Sequence, residues 1–271
     1  MGSNYDQLDL FFKHGTDSRP PQTVSWNLWH GCTRTSTGCK NCYMFTRDLS
    51  VGKDPTVVKK TQVFNLPTRI LRSGPHKGKY KIPPGSHFDT CFTSDFFHPD
   101  ADEWRPDAWN MIRERSDCTF FMITKRPERI ADHLPHDWND GWEHVQIAVT
   151  CEDQRMVNKR VPIYIQLPLK HKSVVISPML SSINLRPYLP NVETVAVGGE
   201  SGINARPCNY SWVLDVHMQC VDAGVRFIYH QTGAKLIKGG KMYNIPRKYQ
   251  HQQARLAGID FDGMRLMSIM A

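Results

Sequence analysis

Seven short runs rich in apolar residues punctuate the chain, and they restrict its fold more than any other feature. They lie at 24–28, 87–92, 118–123, 144–149, 172–177, 192–197 and 225–230. Many of their residues are β-branched or aromatic. A strand buried on both faces reads as such a run, whereas a half-exposed strand alternates apolar and polar residues. Longer connections separate the runs, and two of these have helical character. Residues 106–116 open with Pro106 and carry spaced apolar side chains. Residues 209–223 begin at an Asn or Ser cap and stop before Gly224, with Trp212, Val213, Val216, Cys220 and Ala223 on one face. The segment 161–169 is ambiguous, because a short apolar run has no readable period. Strand–helix alternation of this kind builds a parallel sheet. The fold class expected is α/β, an incomplete parallel (β/α) barrel of about six strands and at most seven. One barrel-like domain is expected over 1–271, with a basic insertion at 50–86 after the first strand. The final IDFDGMRLMSIMA is apolar enough to dock on the body.

Charge and hydropathy exclude several classes. The chain is basic, +8 at pH 7, and 40% apolar. No run approaches the roughly 18 apolar residues of a membrane span. The first twenty residues are too polar and acidic for a secretory signal. A cytoplasmic location without membrane contact is therefore expected. Eight cysteines in this length do not make a small disulfide scaffold; Cys91, Cys118 and Cys151 sit in or beside apolar runs, as reduced core thiols do. Positive charge is unevenly placed. From Pro55 to Phe88 there is no acidic residue, while Arg69, Arg72, Lys77, Lys79 and Lys81 fall there. Such a stripe either follows a phosphate backbone or forms a solvated face. A nucleic acid or nucleotide is thus one candidate partner.

Chemistry concentrates at Cys32-x6-Cys39-x2-Cys42, within HGCTRTSTGCKNCY. Three thiolates can hold three irons of a cubane and leave the fourth open, whereas a structural zinc normally closes with four protein ligands. His30, two residues earlier, is the nearest nitrogen. An iron–sulfur cluster, a Cys3His zinc site and unligated thiols all remain open at this point. Active sites in parallel sheets gather at the carboxyl ends of the strands. That rule collects the cysteine loop, Asp95, Lys125 and Arg126, Glu152, Ser177, Gly198-Gly199-Glu200, and His230-Gln231. Gly198 and Gly199 allow close backbone approach to a ligand. Glu200 is suited to an ammonium group, or else to a helix cap or a pair with Arg206. Asp95 suits ribose hydroxyls or an amino group, or else an ordinary cap. Lys125 and Arg126 suit a carboxylate or phosphate. No nucleophile elbow or metal-hydrolase motif is present, which speaks against a hydrolase.

SWNLWHGCTRTSTGCKNCY, ITKRPER, IAVTCEDQ, VGGESG and the downstream ARPCNYSWVLDVHMQCVDAGVRFIYHQTG resemble the phage-associated three-cysteine-motif family. That family is similar to radical S-adenosylmethionine enzymes such as spore photoproduct lyase. The resemblance covers about 23–47 and 87–235. It implies a barrel of the radical S-adenosylmethionine type, with one 4Fe–4S cluster on Cys32, Cys39 and Cys42. S-adenosyl-L-methionine would be the cofactor, with Asp95, Lys125, Gly198, Gly199 and Glu200 as its binding residues. A 5′-deoxyadenosyl radical would serve modification or repair of a nucleic acid or nucleotide, as a lyase or transferase. A reductant such as flavodoxin or ferredoxin would supply electrons. The chain departs from the commoner radical-enzyme C-x3-C-x2-C in its first interval. It also has Ser177 where relatives usually carry glutamate, and Leu28 in place of a proline. The alternative is a non-catalytic nucleic-acid-binding protein stabilised by zinc or a cluster.

Overall fold

The computed structural model describes residues 17–263. Seven strands form one wholly parallel sheet: β1 (Thr23–Trp26), β4 (His87–Thr90), β5 (Thr119–Thr124), β6 (Val145–Thr150), β7 (Lys172–Ile176), β8 (Thr194–Gly198) and β10 (Arg226–Gln231). Their spatial order is the chain order, each strand pairing with the next and the two end strands leaving the sheet open. Sequential winding of this kind curls a sheet into an incomplete barrel. The expected fold class holds, with seven strands where about six were anticipated. No described helix is long and apolar enough to cross a membrane.

Alternation along the strands makes two unequal cores. Successive side chains leave a strand on opposite faces. Phe120 accordingly packs outward, its ring stacked 4.8 Å from Phe88 and edged by Trp26. This outer cluster also takes in Trp109 of α2 (Arg105–Glu114), Val157 of α3 (Gln154–Ile165) and Val216 of α4 (Tyr210–Ala223). Phe121 belongs instead to a small second cluster with Ala148 and Val175, edged by Ile123 and Ala196. Polar pairs share that face: Gln146 Nε2 donates to Ser173 Oγ over 2.7 Å, and His87 lies 2.8 Å from Thr119 Oγ1.

Helix limits follow local chemistry. Asp153 caps α3 by accepting from the Met156 N–H at 2.9 Å, and Asn209 caps α4 by accepting from the Ser211 N–H at 3.0 Å. Gly224 ends α4 with φ of 65°, a left-handed conformation that glycine adopts without strain. The ambiguous 161–169 begins inside α3 and leaves it after Ile165. After β10 the chain forms an antiparallel hairpin, β11 (Lys235–Lys238) and β12 (Lys241–Asn244), then α5 (Arg247–Leu256). None of these three elements was anticipated. The hairpin is tied to the body through β9 (Cys208–Asn209), which pairs parallel with β11. The docking expected of the tail is seen as far as Phe261, which bonds reciprocally with Phe227 at 2.7 and 2.9 Å; residues 264–271 lie outside the described residues.

The basic insertion spans both ends of the sheet. Near its start, β3 (Lys59–Lys60) pairs with β2 (Trp29–His30), and the Pro55 carbonyl accepts from the Cys32 N–H at 2.9 Å. Its later part crosses to the amino ends of β4 and β5. There the buried Arg115 holds the carbonyls of Pro67 (2.5 Å) and Ile82 (3.0 Å), and Tyr80 donates to Glu114 at 2.6 Å. Arg72, Lys77 and Lys81 are exposed at that end, away from the cysteine loop.

Candidate active site at the carboxyl ends of the strands

The connection from β1 to α1 (Tyr43–Ser50) carries all three cysteines over the carboxyl ends of the sheet. Three threonines at alternate positions anchor it. Arg126, just after β5, donates from Nη2 to Thr33 O and Oγ1 at 3.0 and 2.9 Å. Arg160 of α3 donates to Thr35 Oγ1 at 3.3 Å, and Arg206 donates to the Thr37 carbonyl at 3.0 Å. Each guanidinium is held by a buried carboxylate: Asp95 for Arg126 (2.8 Å), Glu152 for Arg160 (2.9 Å) and Glu200 for Arg206 (2.5 Å). Buried carboxylates stay ionised only when charge and hydrogen-bond donors replace water. Here the cysteine loop shares in that replacement. The Gly38 N–H donates to Glu152 Oε1 at 3.1 Å, and the Asn41 amide donates to Glu200 Oε2 at 3.0 Å.

These bonds explain two features of the sequence. A Cβ on Gly38 would lie 2.8 Å from the Glu152 carboxyl carbon, so the glycine makes room for a carboxylate. Cys91, at the end of β4, has φ of 65°, rare for a residue with a Cβ. The bend lets the Ser94 hydroxyl donate to the Gly31 carbonyl and directs Asp95 at Arg126.

The cysteines differ electrostatically. All three are partly exposed, whereas Cys91, Cys118, Cys151, Cys208 and Cys220 are buried free thiols. Burial, reinforced by the Asp95 charge, raises the Cys32 thiol to about 11, although Arg126 opposes the rise from 3.9 Å. At Cys39 burial also pushes upward, but the Lys125 charge and hydrogen bonds from Thr35 and Ser36 outweigh it, so this thiol ionises more readily than usual. Lys125 is half-buried and, among the described residues, has no ion-pair or hydrogen-bond partner for its ammonium. His30 is occupied, with Nε2 2.5 Å from Asp48. Among the described residues no three Cys, His, Asp or Glu side chains meet as ligands of a single ion. The donor set suits an anionic, thiolate-held group: three sulfurs on one anchored loop beside an uncompensated ammonium.

A protein-family model, the family of proteins of unknown function DUF5131, matches residues 22–268. The chain belongs to the DUF5131 family. No curated protein matches it. Among solved structures, spore photoproduct lyase complexed with dinucleoside spore photoproduct is similar at 12% identity, over 93% of this chain and 75% of that one, with a TM-score of 0.44.

In this DUF5131 chain the expected cofactor residues fall into two groups. Lys125 is open. Asp95 is not a free carboxylate: it accepts from Thr124 Oγ1 (2.7 Å), the Phe97 N–H (3.0 Å), the Lys125 N–H (3.1 Å) and Arg126. Glu200 is equally occupied, accepting from the N–H of Arg206 and from its side chain, at 2.8 and 2.9 Å on Oε2, besides Asn41. This is the Arg206 pairing that the sequence left open. Gly198 and Gly199 are needed by protein: Cβ atoms there would strike the His230 ring and the Thr232 carbonyl of the adjoining strand end. Ser177 Oγ lies 3.3 Å from His230 Nε2. Burial, and secondarily the His251 charge, lowers His230 to about 4, keeping it neutral near pH 7. Sequence reasoning missed Arg160 and the three threonines. For Thr33 and Thr35, held by their hydroxyls, the alternation T-R-T was the available signal, since an extended segment turns every second side chain to one side; Thr37 is held by its carbonyl, which its residue type does not announce.

Proposed function

We propose that the protein is a radical S-adenosylmethionine enzyme in which Cys32, Cys39 and Cys42 hold a 4Fe–4S cluster. One observation carries the reading: three cysteines share a loop pinned across the strand ends by three Arg–carboxylate pairs, with an unpaired ammonium beside it. Each thiolate of a cubane takes a different iron, so the sulfurs need not meet at one point, whereas a zinc ion gathers its ligands at roughly 2.3 Å. Bound there, the cluster would supply an electron from a donor such as flavodoxin or ferredoxin to the sulfonium of S-adenosyl-L-methionine, releasing a 5′-deoxyadenosyl radical.

The chain's own residues fix the setting for that chemistry. Lys125 offers a charge for the carboxylate of the methionine moiety and favours the Cys39 thiolate. Asp95 and Glu200 act one step back, orienting Arg126 and Arg206 against the loop. Gly198 and Gly199 let the ends of β8 and β10 close into one wall. A nucleic acid or nucleotide is the substrate class favoured, and the reaction would be a modification or repair.

Anaerobic reconstitution, with iron and sulfide analysis and then dithionite and S-adenosylmethionine, tests this. About four irons per chain and release of 5′-deoxyadenosine are expected. Stoichiometric zinc, or iron retained when all three cysteines are replaced by alanine, would overturn it.

A further inference from the structure

The chain after β10 has no part in the mechanism above, yet it has the composition of a binding surface. No acidic residue occurs between Asp222 and Asp260, while Lys235, Lys238, Lys241, Arg247 and Lys248 all fall there. Among the described residues none of these five forms an ion pair. The hairpin, α5 and Tyr210 of α4 surround an open cavity of about 540 Å³, within the range of small-ligand sites.

Four tyrosines line that cavity: Tyr210, Tyr229, Tyr243 and Tyr249. Tyr243 and Tyr249 are 43% and 42% exposed. Lysines lie over three of the rings, Lys238 on Tyr210 (4.8 Å), Lys241 on Tyr243 (5.3 Å) and Lys248 on Tyr249 (4.8 Å). Tyr229 differs from the rest. It is 1% exposed, yet its buried hydroxyl has no hydrogen-bond partner. Buried phenols ordinarily find one, because leaving the group unmet costs its lost hydration. Tyr229 is also one of the residues that line the cavity.

Flat aromatic faces, unpaired cations and one buried donor together describe a ligand that is planar, carries acceptors on its edge and is joined to negative charge. A nucleobase on a single strand has all three properties, since every base presents a π-face and its flanking phosphates are anionic. Location favours it too. The hairpin follows the carboxyl end of β10 and α4 follows that of β8, the same end of the sheet that the cysteine loop covers. The 69–81 stripe lies at the other end of the sheet.

We propose that this cavity holds an unpaired base of a single-stranded nucleic acid. The tyrosines stack on the base, the Tyr229 hydroxyl donates to its edge, and Lys238, Lys241 and Lys248 meet the neighbouring phosphates. The site deepens the nucleic-acid part of the proposed function but does not depend on a cluster.

Fluorescence anisotropy of the full chain with labelled oligothymidylate and oligouridylate, without cofactor or reductant, tests it. Tyr249→Ala or Tyr243→Ala should each weaken binding about 5- to 150-fold, the effect of unstacking one base, with unfolding midpoints near wild type because both side chains are exposed. Tyr229→Phe should weaken it about two- to tenfold while leaving the free protein as stable or more so, since only an unmet hydroxyl is removed. Joint replacement of Lys238 and Lys241 by glutamine should make the salt dependence shallower by about 1.4 in log–log slope. Affinity should be the same before and after reconstitution with iron and sulfide, which separates this site from the cluster assignment. Absence of binding to either oligomer at about 50 mM salt, or unchanged affinity in all three tyrosine variants, would overturn the proposal.

Discussion

Replacing Asp95 by asparagine should loosen the cysteine loop and destabilise the whole protein. The shape is preserved, so the effect isolates charge and hydrogen-bond polarity. Asp95 is 4% exposed, and its Oδ2 accepts from the Lys125 N–H at 3.1 Å and from Arg126 at 2.8 Å. With the amide NH2 there, two donors face a third. Turning the amide over only transfers the conflict to Thr124 Oγ1 and the Phe97 N–H, both of which now donate to Oδ1. Arg126, itself 5% exposed, is left without its counter-ion. Removing one partner of a buried pair costs about 3–5 kcal/mol. At about 2–4 °C per kcal/mol for a chain of this size, the unfolding midpoint should fall by about 6–20 °C. Since Arg126 also holds Thr33, hydrogen exchange of Thr33–Cys39 amides should accelerate more than that of the central strands. A midpoint within about 2 °C of wild type, with unchanged exchange in the loop, would refute the idea that the pair is ionic and clamps the loop.

Alanine at Cys32, Cys39 or Cys42 should each abolish iron–sulfur absorption after reconstitution, while alanine at Cys91, Cys118, Cys151, Cys208 or Cys220 should retain it; metal analysis of all eight variants checks this. Gly38→Ala places a Cβ against the buried Glu152 and should cost about 1–3 kcal/mol in chemical denaturation, with reduced iron retention. Lys125→Gln breaks no ion pair and should change stability by less than about 0.5 kcal/mol. It should nevertheless raise the Cys39 pKa, seen as slower alkylation of that thiol at neutral pH. His230 is held near pKa 4, below its ordinary 6.5, so the unfolded state binds the extra proton between those values. Stability should be unaffected above pH 6.5 and decline as pH falls toward 4, by up to about 3 kcal/mol, and His230→Gln should remove that component from urea-unfolding curves taken across the range.

Much of the framework was legible in the order of residues. All seven runs became strands of the main sheet, because the outer face beneath the helices demands an apolar residue at every second position, and several runs carry apolar residues on the other face too. The start of α4 at Asn209 and its end at Gly224 were equally readable, since capping is decided by the residues at the helix ends. The polar strand ends could be grouped from sequence because parallel order sends every carboxyl end to the same side of the sheet. What each does there was a tertiary decision. Asp95, Glu152 and Glu200 look alike as ligands until Arg126, Arg160 and Arg206 arrive from elsewhere and occupy them. The hairpin and α5 escaped notice because their faces are largely solvated, which leaves little apolar periodicity to read; β12 is exposed at every position. The two acid-free segments are indistinguishable by charge alone. Only the winding of the sheet sends the later part of one to its amino ends and starts the other from its carboxyl ends, because loops that precede a parallel strand and loops that follow it emerge on opposite sides.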